Sequence, residues 1–231
     1  MGKISVILPA HNEGRILQST VKRLEKVLGR CFDDFEIIIS EDGSTDDTVK
    51  IAKSLKSKKV RLLSNGKRAG KGAAITSAAS YAKGDILVFM DTDLASEPSH
   101  VKELVDYIEK GSAIVIGSRY LKESKAKRKI VRHIASKSFN FLVRALLGST
   151  LTDHQCGFKA FRKDLTLPVM DEIKEKGWFW DTELLVRAQR HGLKIKEIPI
   201  EWREAADSRF NLINDSYMMG LGLLRFKLRN G

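Results

Sequence analysis

Asp91-Thr92-Asp93 closes the apolar run Ile86 to Met90. In extended chain, residues i and i+2 point the same way. Both carboxylates then project together from a strand end, where they repel unless something positive sits between them. A divalent cation holding a diphosphate meets that need, because Mg²⁺ takes one or two carboxylates plus phosphate oxygens. A solvated strand-end turn is the alternative reading. Asn12 and Glu13 follow a first apolar run and Asp42 a second. An amide and carboxylates there suit a nucleobase and ribose; the alternatives are a helix cap for Asn12 and turn chemistry for Asp42. Arg68-Ala69-Gly70-Lys71-Gly72 precedes a helix start, where glycines admit close backbone approach and basic groups suit phosphate. The spacing of Gly66, Gly70 and Gly72 does not make a Walker A loop, and no G-x-G-x-x-G follows the first strand.

These residues need a frame that brings strand ends together. Ile4 to Leu8, Phe35 to Ile39, Val60 to Leu63, Ile86 to Met90 and Ala113 to Gly117 read as strands. Helical spacing runs through Ile16, Leu17, Val21, Leu24 and Leu28, from the Asp42–Asp46 turn to about Leu55, over Ala73 to Ala82, and through Val101 to Ile108 after Pro98. Strands alternating with helices predict an α/β fold with a doubly wound, mostly parallel sheet. Ligands of such sheets bind at the carboxyl ends of the strands. The second half is less regular. Lys122 to Lys129 reads as a basic mobile loop, Arg132 to Leu147 as an amphipathic helix, and Gly157 to Phe161 as a strand. Asp181 to His191 reads as a helix ended by Gly192, Ile195 to Trp202 as a strand, and Leu212 to Leu228 as a terminal helix.

A chain of 231 residues without a linker signal suggests one domain. Two cysteines exclude a disulfide scaffold, and no apolar run approaches the ~18 residues of a membrane span. The N-terminus lacks secretory-signal features, so a reducing cytoplasm is the expected compartment. Lys+Arg of 41 against Asp+Glu of 29 gives a net charge of +12, which favours a polyanionic partner: nucleic acid, an anionic membrane or a phosphorylated substrate.

Taken in order, Pro9-Ala10-His11-Asn12-Glu13, Glu41-Asp42-Gly43-Ser44-Thr45-Asp46, Arg68-Ala69-Gly70-Lys71-Gly72 and Asp91-Thr92-Asp93 resemble the nucleotide-sugar half of the family 2 inverting glycosyltransferases, which have the GT-A fold. Gly117-Ser118-Arg119-Tyr120, Arg132, Ser136 and Asp153-His154-Gln155-Cys156-Gly157-Phe158-Lys159 look like the polyprenyl-phosphate branch. Trp180-Asp181-Thr182-Glu183 and Glu201-Trp202-Arg203-Glu204 are similar to the dolichyl-phosphate glucosyltransferase subgroup, with the mannose synthases as siblings.

The resemblance implies transfer of a hexose, with inversion, from a nucleotide diphosphate sugar such as UDP-glucose or GDP-mannose to a polyprenyl or dolichyl phosphate. It places Mg²⁺ or Mn²⁺ on Asp91 and Asp93. Pro9, Ala10, Asn12, Glu13, Asp42 and Thr92 would line the nucleotide-sugar site, with Lys71 and Arg203 near the phosphates. Arg119, Arg132 and Ser136 would hold the acceptor phosphate. Asp93, Asp153 and Arg203 are the expected catalytic residues, Asp153 serving as a base if one is used, or orienting the acceptor. The split falls near residue 120, with the donor half before it and the acceptor half after. The sequence departs from the mannose synthases at Ala95, where a third metal ligand often stands, and at Asp207-Ser208-Arg209.

The Lys122–Lys129 loop and the terminal helix, through Met218, Met219, Leu221, Leu223, Leu224 and Phe226, suggest peripheral contact with the cytoplasmic face of an anionic membrane. Closure of the core is the other reading of that helix. Rival functions are a family 2 transferase with a non-lipid hydroxyl acceptor, a non-catalytic sugar-nucleotide binder and a nucleic-acid binder. The last is disfavoured because no binding motif appears.

Overall fold

The computed structural model describes residues 2–127, 129–204 and 212–230. Strands β1 (Ile4–Ala10), β2 (Phe35–Glu41), β3 (Val60–Ser64) and β4 (Ile86–Met90) alternate with helices α1 (Gly14–Cys31), α2 (Thr48–Ser54) and α3 (Lys71–Tyr81). Helix α4 (Val101–Glu109) follows a short 3-10 turn at Pro98–His100 and leads to β5 (Ile114–Ser118). Then come β6 (Lys125–Lys127), α5 (Ile130–Leu147), β7 (Phe158–Arg162), α6 (Lys163–Asp171), α7 (Trp180–Arg190), β8 (Ile195–Pro199), β9 (Glu201–Arg203) and α8 (Leu212–Asn230).

The main sheet has seven strands in the order β3-β2-β1-β4-β7-β5-β8. All neighbours are parallel except β7, which runs antiparallel to both β4 and β5. The alternation of β1 explains why both faces are covered. Ile4, Val6 and Leu8 pack with Leu17, Leu24 and Leu28 of α1 on one face. Ile7 packs with Ile75 of α3 and Leu184 of α7 on the other. Each such side chain, once buried, contributes roughly 1.5–3 kcal/mol before ordering costs.

A third apolar cluster joins α5, α7 and α8 through Phe139, Val143, Phe179, Met219, Leu223 and Phe226. This is the core-closing alternative for the terminal helix at Met219, Leu223 and Phe226, which are buried. Met218 and Leu224 do remain exposed.

The second half of the chain differs from the expectation in two ways. The Lys122–Lys129 segment contains a strand, β6, which pairs in parallel with β9 at Lys125↔Glu201 and Lys127↔Arg203. The single strand expected over Ile195 to Trp202 is two, because Ile200 turns inward and packs on Gly117. The chain thus leaves the main sheet after Pro199 and enters the β6/β9 ribbon. The Asp207-Ser208-Arg209 segment lies outside the described residues.

Candidate functional site

The carboxyl ends of β1, β2 and β4 open into a cleft of about 1660 Å³. Ordinary ligand pockets span about 300–1,000 Å³, so this one has room for two substrates.

Residue 92 explains the geometry of the Asp91-Thr92-Asp93 turn. Thr92 is buried, its Oγ1 donates to the Pro9 carbonyl at 2.8 Å, and its own carbonyl accepts from Thr20 Oγ1 at 2.8 Å. Those bonds pin the middle of the turn to β1 and α1. Asp91 and Asp93 then face the cleft. Behind Asp91, a Cβ on Gly157 would sit 1.9 Å from its Oδ2, so only glycine fits there. Desolvation in the cleft, together with the Asp91 charge, raises the Asp93 carboxyl above its ordinary value. A cation between the two would reverse that. Among the described residues, no third histidine, cysteine or carboxylate joins the pair to make a metal cage. Two hard oxygen donors with open positions suit Mg²⁺ or Mn²⁺ completed by phosphate and water.

Lys71, at the start of α3, reaches Asp91 Oδ1 at 2.6 Å and lies over the rings of Phe89 and Trp178. Burial opposes its charge, but Asp91 and Asp181 outweigh burial and raise its pKa, so it is a fixed cation. Asp181 also lines the cleft, anchored by the fully buried Lys159 at 2.5 Å.

The end of the cleft beside β1 and β2 is built from loops that hold one another. Asn12 adopts φ 57°. Its Oδ1 accepts from Thr45 N–H at 2.6 Å and Asp46 N–H at 3.2 Å. Asp42 is buried, and its two oxygens accept from the Ala69 and Gly70 amides at 2.6 and 2.9 Å. Asp42 therefore performs the turn chemistry weighed above while also lining the cleft beside Pro9, Ala10, Asn12 and Glu13. Gly43 makes the approach possible: its φ is +64°, and a Cβ there would lie 2.4 Å from Arg68 N.

On the far side, Arg119, Arg132, Ser136 and Gln155 line the same cleft. Arg119 donates through Nε and Nη2 to the two oxygens of Asp153 at 2.7 and 2.8 Å. It also lies 5.4 Å from the Trp202 ring centre. Arg132 pairs with Glu204 at 2.6 Å. Arg132 and Ser136 share a face of α5, one turn apart. Asn140, one turn further on, accepts the His154 N–H at 2.9 Å and its Nδ1–H at 2.7 Å. That locks α5 to the loop bearing Asp153. Beyond these polar groups the wall turns apolar, through Phe139 and Leu142 of α5 and Met218, Met219 and Leu223 of α8.

The structure thus gathers Pro9, Ala10, Asn12, Glu13, Asp42, Lys71, Asp91, Thr92, Asp93, Arg119, Arg132 and Ser136 around one cleft. Two expected residues are placed otherwise. Asp153 is fully buried beneath Arg119, which with other partners holds its carboxyl below the usual range against the effect of burial. The Arg203 side chain is exposed and does not line the cleft; its backbone N–H bonds the Ala95 carbonyl at 2.8 Å, and Trp202 is the lining residue of β9. Arg68, of the basic loop before α3, and Trp178 also line the cleft, as do Asp181 and Gln155, which were not among the expected site residues. Each lies in or beside a quoted motif, which was the available signal.

A mostly parallel sheet covered by helices on both faces, with a cleft at its strand ends, is a fold of the GT-A type. The chain belongs to glycosyl transferase family 2, whose model matches residues 5–167. It is 40% identical to glycosyltransferase AglD of Haloferax volcanii over 96% of this chain but only 36% of that protein. It is 32% identical to the dolichyl-phosphate beta-glucosyltransferase of Saccharomyces cerevisiae, over 97% of this chain and 74% of the relative. Among solved structures, glucosyl-3-phosphoglycerate synthase from Mycobacterium tuberculosis, in complex with Mn²⁺ and UDP-glucose, superposes with a TM-score of 0.72. That match has 22% identity and covers 98% of this chain and 79% of the synthase.

Proposed function

We propose that this chain transfers glucose from UDP-glucose to the phosphate of a polyprenyl or dolichyl phosphate, with inversion. The observation that carries the reading is the continuity of one cleft. It runs from the Asp91/Asp93 pair to the Arg119/Arg132 pair and on to an apolar wall between α5 and α8. A donor diphosphate, an acceptor phosphate and a hydrocarbon tail match those three stretches in order. The relatives named for dolichyl-phosphate glucosylation and the fold neighbour bound to Mn²⁺ and UDP-glucose support the same reading.

Asp91 and Asp93 would hold Mg²⁺ or Mn²⁺, which when bound offsets charge on the leaving diphosphate. Lys71 adds a fixed positive charge beside them. Asn12, Glu13 and Asp42 with its loop seat the nucleoside. Arg119 and Arg132 orient the acceptor phosphate, whose oxygen attacks the anomeric carbon as the bond to the donor β-phosphate breaks. A monoester phosphate is largely dianionic near neutral pH, its second pKa being about 6. It needs no base, which agrees with the burial of Asp153. In this reading Asp153 positions Arg119.

No helix among the described residues is long and apolar enough to cross a membrane. The lipid would be met at a surface, where Ile130, Val131, Ile134 and Phe141 of α5 are exposed beside Lys127, Lys129 and Lys137. That combination suits peripheral contact with an anionic bilayer on its cytoplasmic side.

The test is a transfer assay with radiolabelled UDP- and GDP-sugars, Mg²⁺ or Mn²⁺, and a short polyprenyl phosphate, counting label in the organic phase. Lipid-dependent label from UDP-glucose is expected. Label that stays aqueous and follows 3-phosphoglycerate would overturn the lipid assignment.

A further inference from the structure

The two arginines of the acceptor wall have carboxylate partners of different kinds. Asp153, under Arg119, is fully buried and is bonded by the Arg119 backbone N–H as well as the guanidinium. Glu204, on Arg132, is at the surface of the wall, with its side chain 14% exposed. Its Oε1 takes the Arg132 Nη1 at 2.6 Å, and its Oε2 accepts the N–H of Lys129, the residue that opens α5, at 3.0 Å. Its own N–H is tied to the Lys127 carbonyl at 3.1 Å. The backbone of Glu204 is therefore fixed by the β6/β9 ribbon while its carboxylate occupies a guanidinium that lines the cleft. Those are the bonds an acceptor phosphate would take.

We propose that Glu204 is a built-in anion that competes with the acceptor for Arg132 and so tempers the affinity of the site, which the dianionic phosphomonoester still occupies and the singly charged phosphodiester product leaves. The inference rests on the phosphate-acceptor reading above. A carboxylate carries one negative charge; a monoester carries about 1.5 to 2 near neutral pH. The monoester therefore displaces Glu204. Transfer forms a bond from the anomeric carbon to one phosphate oxygen and breaks its bond to the donor β-phosphate. One negative charge passes to the departing nucleoside diphosphate, and no proton moves. The product diester keeps a single charge, its advantage over Glu204 is gone, and the carboxylate returns to Arg132 as the product leaves. Glu204 tunes acceptor affinity in this scheme and touches no reacting atom.

The experiment uses the full chain with saturating donor and metal. Acceptor KM is measured for a short polyprenyl phosphate, and inhibition constants for a monoalkyl and a dialkyl phosphate. In Glu204→Gln the acceptor KM falls about three- to fivefold, the scale of a partly exposed ion pair. The monoalkyl and dialkyl phosphates tighten by a similar factor, because both displace the same carboxylate, and donor KM stays put. Glu201→Gln, which removes a carboxylate paired with Lys125 at the surface, changes neither. If Glu204→Gln melts early, Glu204→Asp serves: its shorter carboxylate cannot span Arg132 and the Lys129 N–H, and it shifts the constants the same way. An acceptor KM that is raised or unchanged, or inhibition constants that do not tighten, in a protein that still glucosylates lipid phosphate overturns this proposal alone. A protein that glucosylates no lipid phosphate overturns the acceptor reading and this proposal with it.

Discussion

Arg119 covers Asp153 completely: Nε and Nη2 meet the two carboxylate oxygens at 2.7 and 2.8 Å, and Asp153 has no exposed surface. A carboxylate so enclosed is out of reach of a substrate hydroxyl. Its work is to fix the guanidinium, leaving three of the five N–H donors free. Removing one member of a buried pair strands the other, at a cost of about 3–5 kcal/mol. Asp153→Asn should therefore lower the melting temperature and raise acceptor KM, without changing the pH dependence of kcat. Arg119→Met with Asp153→Leu should recover much of the stability and none of the acceptor affinity. A stable Asp153→Asn protein that has lost kcat alone would make Asp153 a base after all.

Gly157 faces Asp91 with no room for a methyl group, since a Cβ there would lie 1.9 Å from Oδ2. The Asp91 side chain would have to swing away, and β7 would keep its place between β4 and β5. Gly157→Ala should thus weaken Mn²⁺-dependent UDP binding by calorimetry while leaving the fold intact by circular dichroism. Asp93→Asn attacks the same site directly and should cut turnover by about 10²-fold or more. Chelation with EDTA should abolish donor binding in the unmodified protein.

His154 gives the fold an acid limit. Burial pushes its imidazole down to about 4 from 6.5, with the Asp153 charge only partly opposing. Between those values the unfolded chain binds the proton and the folded chain does not. Stability is therefore full above about pH 6.5, falls as the pH drops, and has lost this contribution by about pH 4. The two values imply a loss on the order of 3 kcal/mol. Asp153 acts lower on the scale: its depressed carboxyl stabilises the fold above the ordinary value of 3.8 and loses that effect as pH falls through the folded value. Urea midpoints at about pH 7 and about pH 4.5 should differ clearly in the unmodified protein and much less in His154→Gln.

The first half of the chain was readable from sequence because its candidate site residues sit at the ends of parallel strands. Periodicity locates those ends, and motif residues fall directly after them, as with Asp91 after Met90 and Asp42 after Glu41. The second half was less so. No periodicity carries strand direction, so β7 was found but not its antiparallel pairing with β4 and β5. Helix α6 holds Pro168 in its interior, a residue that argues against a helix from sequence alone. The burial of Asp153 depends on Arg119, 34 residues away. The exposure of Arg203 depends on β9 leaving the main sheet for a ribbon with β6. Such relationships are made by tertiary contacts, and residue types alone do not encode them.

Lys71 sets two effects against each other. It neutralises Asp91 at 2.6 Å, and the acidic groups around it keep it charged throughout the neutral range. A cation arriving at Asp91 must therefore compete with an ammonium already there. Lys71→Met removes that competitor, so Mn²⁺ should bind the donor-free protein several-fold more tightly. The same change strips a positive charge from beside the leaving diphosphate, where one electrostatic contact is worth about 10²–10³ in rate. Donor KM should rise and kcat fall even as metal affinity improves. Titrating Mn²⁺ by calorimetry with and without UDP, beside steady-state kinetics, separates the two. Weaker metal binding in Lys71→Met would mean that the lysine organises Asp91 instead of competing for it.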